Sequence, residues 1–142
     1  MKHSLTSNDW FSNPLGGAIL ALEKQLLKRW LPEAFGYHLL AISDNLTQPD
    51  LHTSKIPHRV ISQRHFSKRS QSQLYLETTD LPFADDSIDC LLLHHQLEFS
   101  RDPLQTLREA ERVLISHGQL ILIGFNPYSL FGLKQCLHRK KS

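Results

Sequence analysis

The stretch Ile88-Asp89-Cys90-Leu91-Leu92-Leu93-His94 constrains the fold more than any other part of the chain. It follows an acidic turn and runs apolar without the alternation of a half-exposed strand. A strand of that kind must be covered on both faces, as in parallel sheets with helices above and below. Gln119 to Phe125 reads the same way, and Tyr37 to Ile42 is a shorter run of the same type. A short strand is expected within His58 to Arg64, around Val60 and Ile61, and another at Leu74-Tyr75-Leu76. Interleaved with helices, these strands predict an α/β layer fold with a mainly parallel sheet.

The spacing of Leu15, Ile19, Leu22, Leu26 and Trp30 predicts a helix from Pro14 to Pro32, with Glu23, Lys24 and Lys28 on its polar side. Asn13-Pro14 starts it, and Pro32 with Gly36 closes it. A second helix begins at Asp102, a natural N-cap, with Pro103 in first position and Gln105 where a capping box wants it. Leu104, Leu107, Ala110 and Leu114 form its apolar face, and His117-Gly118 is its expected end. Ser43 to Pro57 and His65 to Gln73 carry no helical stripe and read as loops. After Asn126-Pro127, the segment Tyr128 to His138 reads as a last amphipathic helix.

A chain of 142 residues fits one domain, here 1–142, with a helical lead-in over 1–36 and its best-defined part at 74–131. Two cysteines make no disulfide framework, and Cys90 reads as core. No signal peptide or membrane-length apolar run is evident, so the expected address is cytoplasmic. The net charge is +2 but unevenly spread: Lys55 to Arg69 is basic, and no acid follows Glu111. Such patches are most simply solvated loops and tails, so no nucleic acid and no membrane span are expected; a surface anchor on anionic lipid or nucleic acid, from Tyr128, Phe131, Leu133 and Leu137 beside Lys134, Arg139, Lys140 and Lys141, is the last-ranked alternative. A set of His94, His95, Glu98 and His117 matches no closed metal-ligand spacing, and adjacent histidines in a strand point to opposite faces, so no metal is expected.

Glu77-Thr78-Thr79-Asp80-Leu81-Pro82-Phe83-Ala84-Asp85-Asp86-Ser87-Ile88-Asp89 is similar to a hallmark of small-molecule class I S-adenosylmethionine-dependent methyltransferases, such as those that methylate quinone and biotin precursors. Leu97-Glu98, Asp102-Pro103 and Leu107 to Leu114 resemble the next helix of that family, and Gly118 opens the strand after it. The resemblance implies a Rossmann-like sheet with S-adenosylmethionine across the carboxyl ends of the strands. By alignment on Leu81-Pro82-Phe83, Glu77 takes the acidic position beside the adenine amine, and Thr78 supplies the neighbouring amide. Ser43 and Asp44 fall after the first strand and Gln63 after the second, in cofactor-contacting positions. His94 and His95 end the fourth strand beside the methyl group, where one histidine would act as general base if the acceptor needs deprotonation. A buried structural histidine is the plainer alternative for each.

The chain departs from the family in three places. Ala41 to Leu46 has no glycine where a Gly-rich loop normally approaches the cofactor. Gln63 and Arg64 stand where a carboxylate would hold the ribose. Against the family's pattern the sequence stops soon after the fifth strand, so the sheet is expected to be incomplete at its carboxy-terminal edge, leaving Gln119 to Phe125 open to a homo-oligomer or protein partner. Two functions follow: methyl transfer to a small-molecule acceptor, or a catalytically inactive binding or regulatory protein.

Overall fold

A computed structural model describes residues 11–63 and 74–125, and the backbone of 134–140. Helix α1 (Pro14–Trp30) precedes strands β1 (His38–Ile42), β2 (His58–Ser62) and β3 (Ile88–His94), then helix α2 (Pro103–Val113) and strands β4 (Leu114–Phe125) and β5 (Lys134–Lys140). The five strands form one open sheet in the order β2-β1-β3-β4-β5. The first four are parallel, and β5 runs antiparallel beside β4. The expected Rossmann-like sheet, mostly parallel and not closed, is therefore present.

The helix starts follow local chemistry. The Asn13 side chain accepts the Gly16 N–H at 2.7 Å, and Asp102 Oδ1 accepts the Gln105 N–H at 3.1 Å. Each satisfies an amide that the helix itself leaves unpaired. The Gln105 side chain does not close a capping box; it donates to the Thr79 carbonyl at 3.2 Å and so ties the loop before β3 to α2.

Side chains alternate between the two faces of the sheet. Leu39, Ala41, Cys90, Leu92 and Ile121 pack with Leu27 and Leu31 of the α1 side. Leu40, Ile42, Leu91 and Leu93 pack with Ala110 and Val113 of α2. Between β1 and β2 the crossover has only a 3-10 turn, Gln48–Leu51, and its Leu46, Leu51 and Ile56 fill the α1-side core.

Four expectations need correction. The inward face of α1 is rotated: Leu15 and Leu22 are 66% and 52% exposed, whereas Glu23 is wholly buried with Gly16 and Leu27. Helix α2 ends at Val113, not His117-Gly118, and passes directly into β4 through an extended Leu114. A register shift then lets β4 advance from Leu114 to Gln119 while β3 advances from Ile88 to Cys90, so His117-Gly118 lies in an irregularity of the strand. The carboxy-terminal part of the predicted last helix, 134–138, belongs to strand β5, whose ladder with β4 satisfies its backbone. The β4 edge is consequently paired within the chain, and β5 becomes the outer strand on that side. The expected loop at 65–73, Arg64 before it and the segment 126–133 lie outside the described residues.

Candidate functional site

Strand order reverses between β1 and β3, since the chain goes outward from β1 to β2 and later returns to the other side of β1. Ligands of open parallel sheets lie at the carboxyl ends of strands at such a point. Two of the predicted residues meet there. Ser43, just past β1, and His94, the last residue of β3, are joined by a hydrogen bond of 2.7 Å between Oγ and Nδ1. Both are fully buried.

His95 joins them because the strand breaks its alternation. His94 faces the α1 side with Leu92, so His95 should face α2. Instead His95 has φ +53°. That left-handed conformation costs about 1–2 kcal/mol for a non-glycine residue, and it swings the imidazole onto the side of His94. The two ring centroids are 4.5 Å apart. The premise that adjacent histidines must diverge fails here, because His95 lies one residue beyond the strand.

Both rings converge on Glu23 of α1. His94 Nε2 contacts Oε2, and His95 Nε2 lies 2.9 and 3.1 Å from Oε1 and Oε2. On its other side, His95 Nδ1 meets Glu98 Oε2 at 2.7 Å, and the same oxygen accepts the Phe125 N–H at 2.9 Å. Phe11 stacks over the cluster, 6.0 Å from the His94 ring and 5.0 Å from that of His95.

Counting donors and acceptors assigns the protons. Ser43 Oγ already accepts from the Asn45 and Leu46 amides at 3.1 and 3.0 Å. Its two lone pairs are used, so its own proton points to His94 Nδ1. His94 is then the neutral tautomer that donates from Nε2 to Glu23. His95 faces a carboxylate at each ring nitrogen, which makes it the doubly protonated imidazolium. The acid–base shifts agree. Burial pushes the His94 imidazole down, and Glu23 only partly offsets this. Burial also acts to lower His95, but hydrogen bonds to Glu23 and Glu98 prevail and raise it. Burial alone would raise Glu23; the two histidines outweigh it and hold the carboxyl at about 2. Glu98 is likewise lowered against the effect of burial, chiefly by its bond to His95.

The other predicted residues line the same end of the sheet. Asp44 follows Ser43 and is half-buried. Gln63 extends β2 by one parallel bridge to Tyr75. Glu77 follows that bridging segment; it is exposed, and none of the described residues bonds its carboxylate. Thr78 is buried, and its hydroxyl meets that of Thr106 at 3.1 Å. The Leu-Pro-Phe motif and acidic turn are held by α2: Arg112 pairs with Glu109 and Asp85 and donates to the Leu81 and Phe83 carbonyls, all at 2.8–2.9 Å. At the end of β3, Gln96 is buried and donates to the His94 carbonyl at 2.9 Å, and none of the described residues bonds its Oε1.

Helical spacing puts Glu23 on the polar side of α1, and nothing in the sequence joins it to Glu98 and the two histidines. One signal was present: Gly16, Leu20, Glu23, Leu27 and Trp30 form a second stripe at helical spacing, with one carboxylate in it. Nothing local could announce the left-handed His95.

A sequence model described as a methyltransferase domain matches residues 37–122. The chain is 38% identical over 115 residues to the uncharacterised protein YafS of Escherichia coli (strain K12), covering 81% of this chain and 46% of that protein. It is 26% identical over 121 residues to the uncharacterised protein MJ1123 of Methanocaldococcus jannaschii, covering 85% and 58%. The chain thus spans about half the length of these curated relatives. Among solved structures, a chain of the Haloferax volcanii complex that contains the Trm112 methyltransferase activator superposes with a TM-score of 0.59 at 19% identity, over 82% of this chain and 59% of that one. A SAM-dependent methyltransferase from Aquifex aeolicus superposes with a TM-score of 0.56 at 14% identity, over 75% and 66%. Among the described residues, no helix is long and apolar enough to cross a membrane.

Proposed function

Because the chain belongs to the methyltransferase-domain family, we propose that it is an S-adenosylmethionine-dependent methyltransferase acting on a small molecule. The family implies that cofactor, which supplies an electrophilic methyl group on sulfur when bound. The observation that carries the reading is Glu77: an exposed carboxylate with no partner among the described residues, on the lip of the fold's ligand crevice. A carboxylate acceptor there suits the exocyclic amine of adenine.

The residues fit the two ends of the cofactor unequally. At the nucleoside end, Glu77 would take the amine, the Thr78 amide a ring nitrogen, and Gln63 a ribose hydroxyl. Gln96 Oε1, unbonded among the described residues, is a further acceptor waiting for a donor. Farther in, the fit fails. The Ser43 hydroxyl is committed to His94, Asn45 and Leu46, and Glu23 fills the space between the histidines. With both rings buried against Glu23, neither imidazole is open to an acceptor molecule. A methyl acceptor and a general base at His94 or His95 therefore require α1 to withdraw Glu23. Asp44 lies half-buried in the loop after β1.

Calorimetric titration with S-adenosylhomocysteine tests this. Saturable binding that Glu77→Ala weakens at least tenfold is expected; no heat at high micromolar ligand overturns it. The same filled inner crevice favours a second reading, an inactive member of the family kept as a binding protein. That reading expects no cofactor binding and an assembly larger than a monomer in light scattering, joined through an outer sheet edge at β2 or β5.

A further inference from the structure

We propose that the buried Glu23–His94–His95 cluster is a binding site for one divalent transition-metal ion. The inference does not rest on methyl transfer, and a bound ion would take both imidazoles out of general-base chemistry.

Three donor groups of the right kind converge. Ring nitrogens of His94 and His95 and a carboxylate oxygen of Glu23 all lie within 4.8 Å of one another, and all three residues are buried. Ligands about 2.1 Å from a transition ion and at right angles around it stand about 3.0 Å apart. The 2.9 and 3.1 Å separations between His95 Nε2 and the Glu23 oxygens already match such an edge. His94 Nε2 touches Oε2 more closely, and the ion would widen that contact by a side-chain movement.

The surroundings are those of a ligand set. Each Nε2 points inward, while each Nδ1 is held from outside, by Ser43 on one ring and by Glu98 on the other. Partners of that kind orient metal-binding imidazoles and fix their tautomer. Glu98 is in turn fixed by the Phe125 amide. The left-handed backbone at His95 makes this convergence possible, since a β conformation would send its ring across the sheet. Occupation by a metal replaces protons. His95 would release its Nε2 proton, and His94 would carry its proton on Nδ1 instead of Nε2; Ser43 Oγ accepts it only by giving up one of its two amide bonds, to Asn45 or Leu46. The ion then supplies the positive charge that the buried carboxylate needs.

Ligand type sets the ion. Two imidazoles and one carboxylate select zinc, ferrous iron, cobalt or nickel over magnesium or calcium, which prefer all-oxygen shells. Three protein ligands leave at least one coordination position for water or a small ligand, at the carboxyl ends of β1 and β3. His117 takes no part: it sits in the irregular stretch of β4 opposite Asp89, at the other end of the sheet.

The test uses the full chain without an affinity tag, stripped with chelator and reloaded with Co2+. The expected result is one ion per chain after gel filtration, visible ligand-field absorption, and a higher melting temperature that chelator reverses. H94Q/H95Q should cut bound cobalt at least tenfold, while H52Q/H117Q, at exposed positions, should bind as wild type. Since removing both rings risks misfolding, the chelator-reversible melting shift of the wild-type chain is an independent reading. Stoichiometry near zero with no absorption and no shift would establish a network of protons only. Cobalt retained by a folded H94Q/H95Q chain would place any site elsewhere. Either outcome overturns the proposal.

Discussion

Removing the Glu23 carboxylate from the metal-free protein is the sharpest probe of the buried cluster. Glu23→Ala leaves His95 as a buried imidazolium that keeps only Glu98, and it takes the acceptor from the His94 Nε2–H. Breaking a buried charged pair from one side costs about 3–5 kcal/mol. For a chain of this size each kcal/mol moves the melting temperature by about 2–4 °C, so a fall of roughly 6–20 °C is expected. Glu23→Gln separates charge from shape. Its carbonyl still accepts from His94, and its amide donates to a His95 that has shed the Nε2 proton. What remains lost is the charge assistance, about 1–2 kcal/mol. Urea denaturation followed by circular dichroism, with chelator present, measures both. The proton assignment is wrong if the alanine variant stays within about 1 kcal/mol of wild type, or if glutamine costs as much as alanine.

Three further outcomes follow from the same geometry. Stability of the metal-free chain should peak near pH 6.5, the ordinary histidine value. Above it, His95, whose value is raised, loses its proton and its contribution; below it, the unfolded chain protonates His94 while the fold, which lowers that histidine, resists. Between pH 4.5 and about 2 the Glu23 contribution is lost as well; a urea midpoint that stays flat from pH 3 to 9 contradicts this. Gly36→Ala should destabilise by about 3 kcal/mol, because Gly36 has φ +130° and an added Cβ would stand 2.2–2.4 Å from the Asp89 side chain that accepts the His38 amide at 2.9 Å; unfolding curves that overlay wild type count against it. Asp102→Ala should cost about 1 kcal/mol through the lost helix cap, with serine at the same position restoring most of it in thermal melts.

Local rules sufficed where the signal was local. Asn13-Pro14 and Asp102-Pro103 start helices because a short polar side chain before proline satisfies free amides whatever surrounds it. The apolar runs of β1, β3 and the later half of β4 appear as parallel strands because a strand buried on both faces admits no alternation. The family was legible too, in the spacing of Leu81-Pro82-Phe83, the acidic turn and the helix after it. The last element was not: periodicity alone reads 128–138 as amphipathic helix, whereas an unpaired β4 edge offers the backbone a ladder and draws 134–140 into a strand.

The chemistry of the site depended on tertiary structure throughout. Glu23 and His94 are separated by 71 residues, and nothing near either announces the other. The inward face of α1 carries Leu20, Leu27 and Trp30 together with Glu23, so the carboxylate turns in along with an apolar stripe, and one left-handed residue beyond β3 brings the second ring to it. The sequence determined which elements form and the order in which they pack. The fold decided which charged groups share a dry interior, because the energy of such a group depends on its neighbours in space and hardly at all on those in the chain.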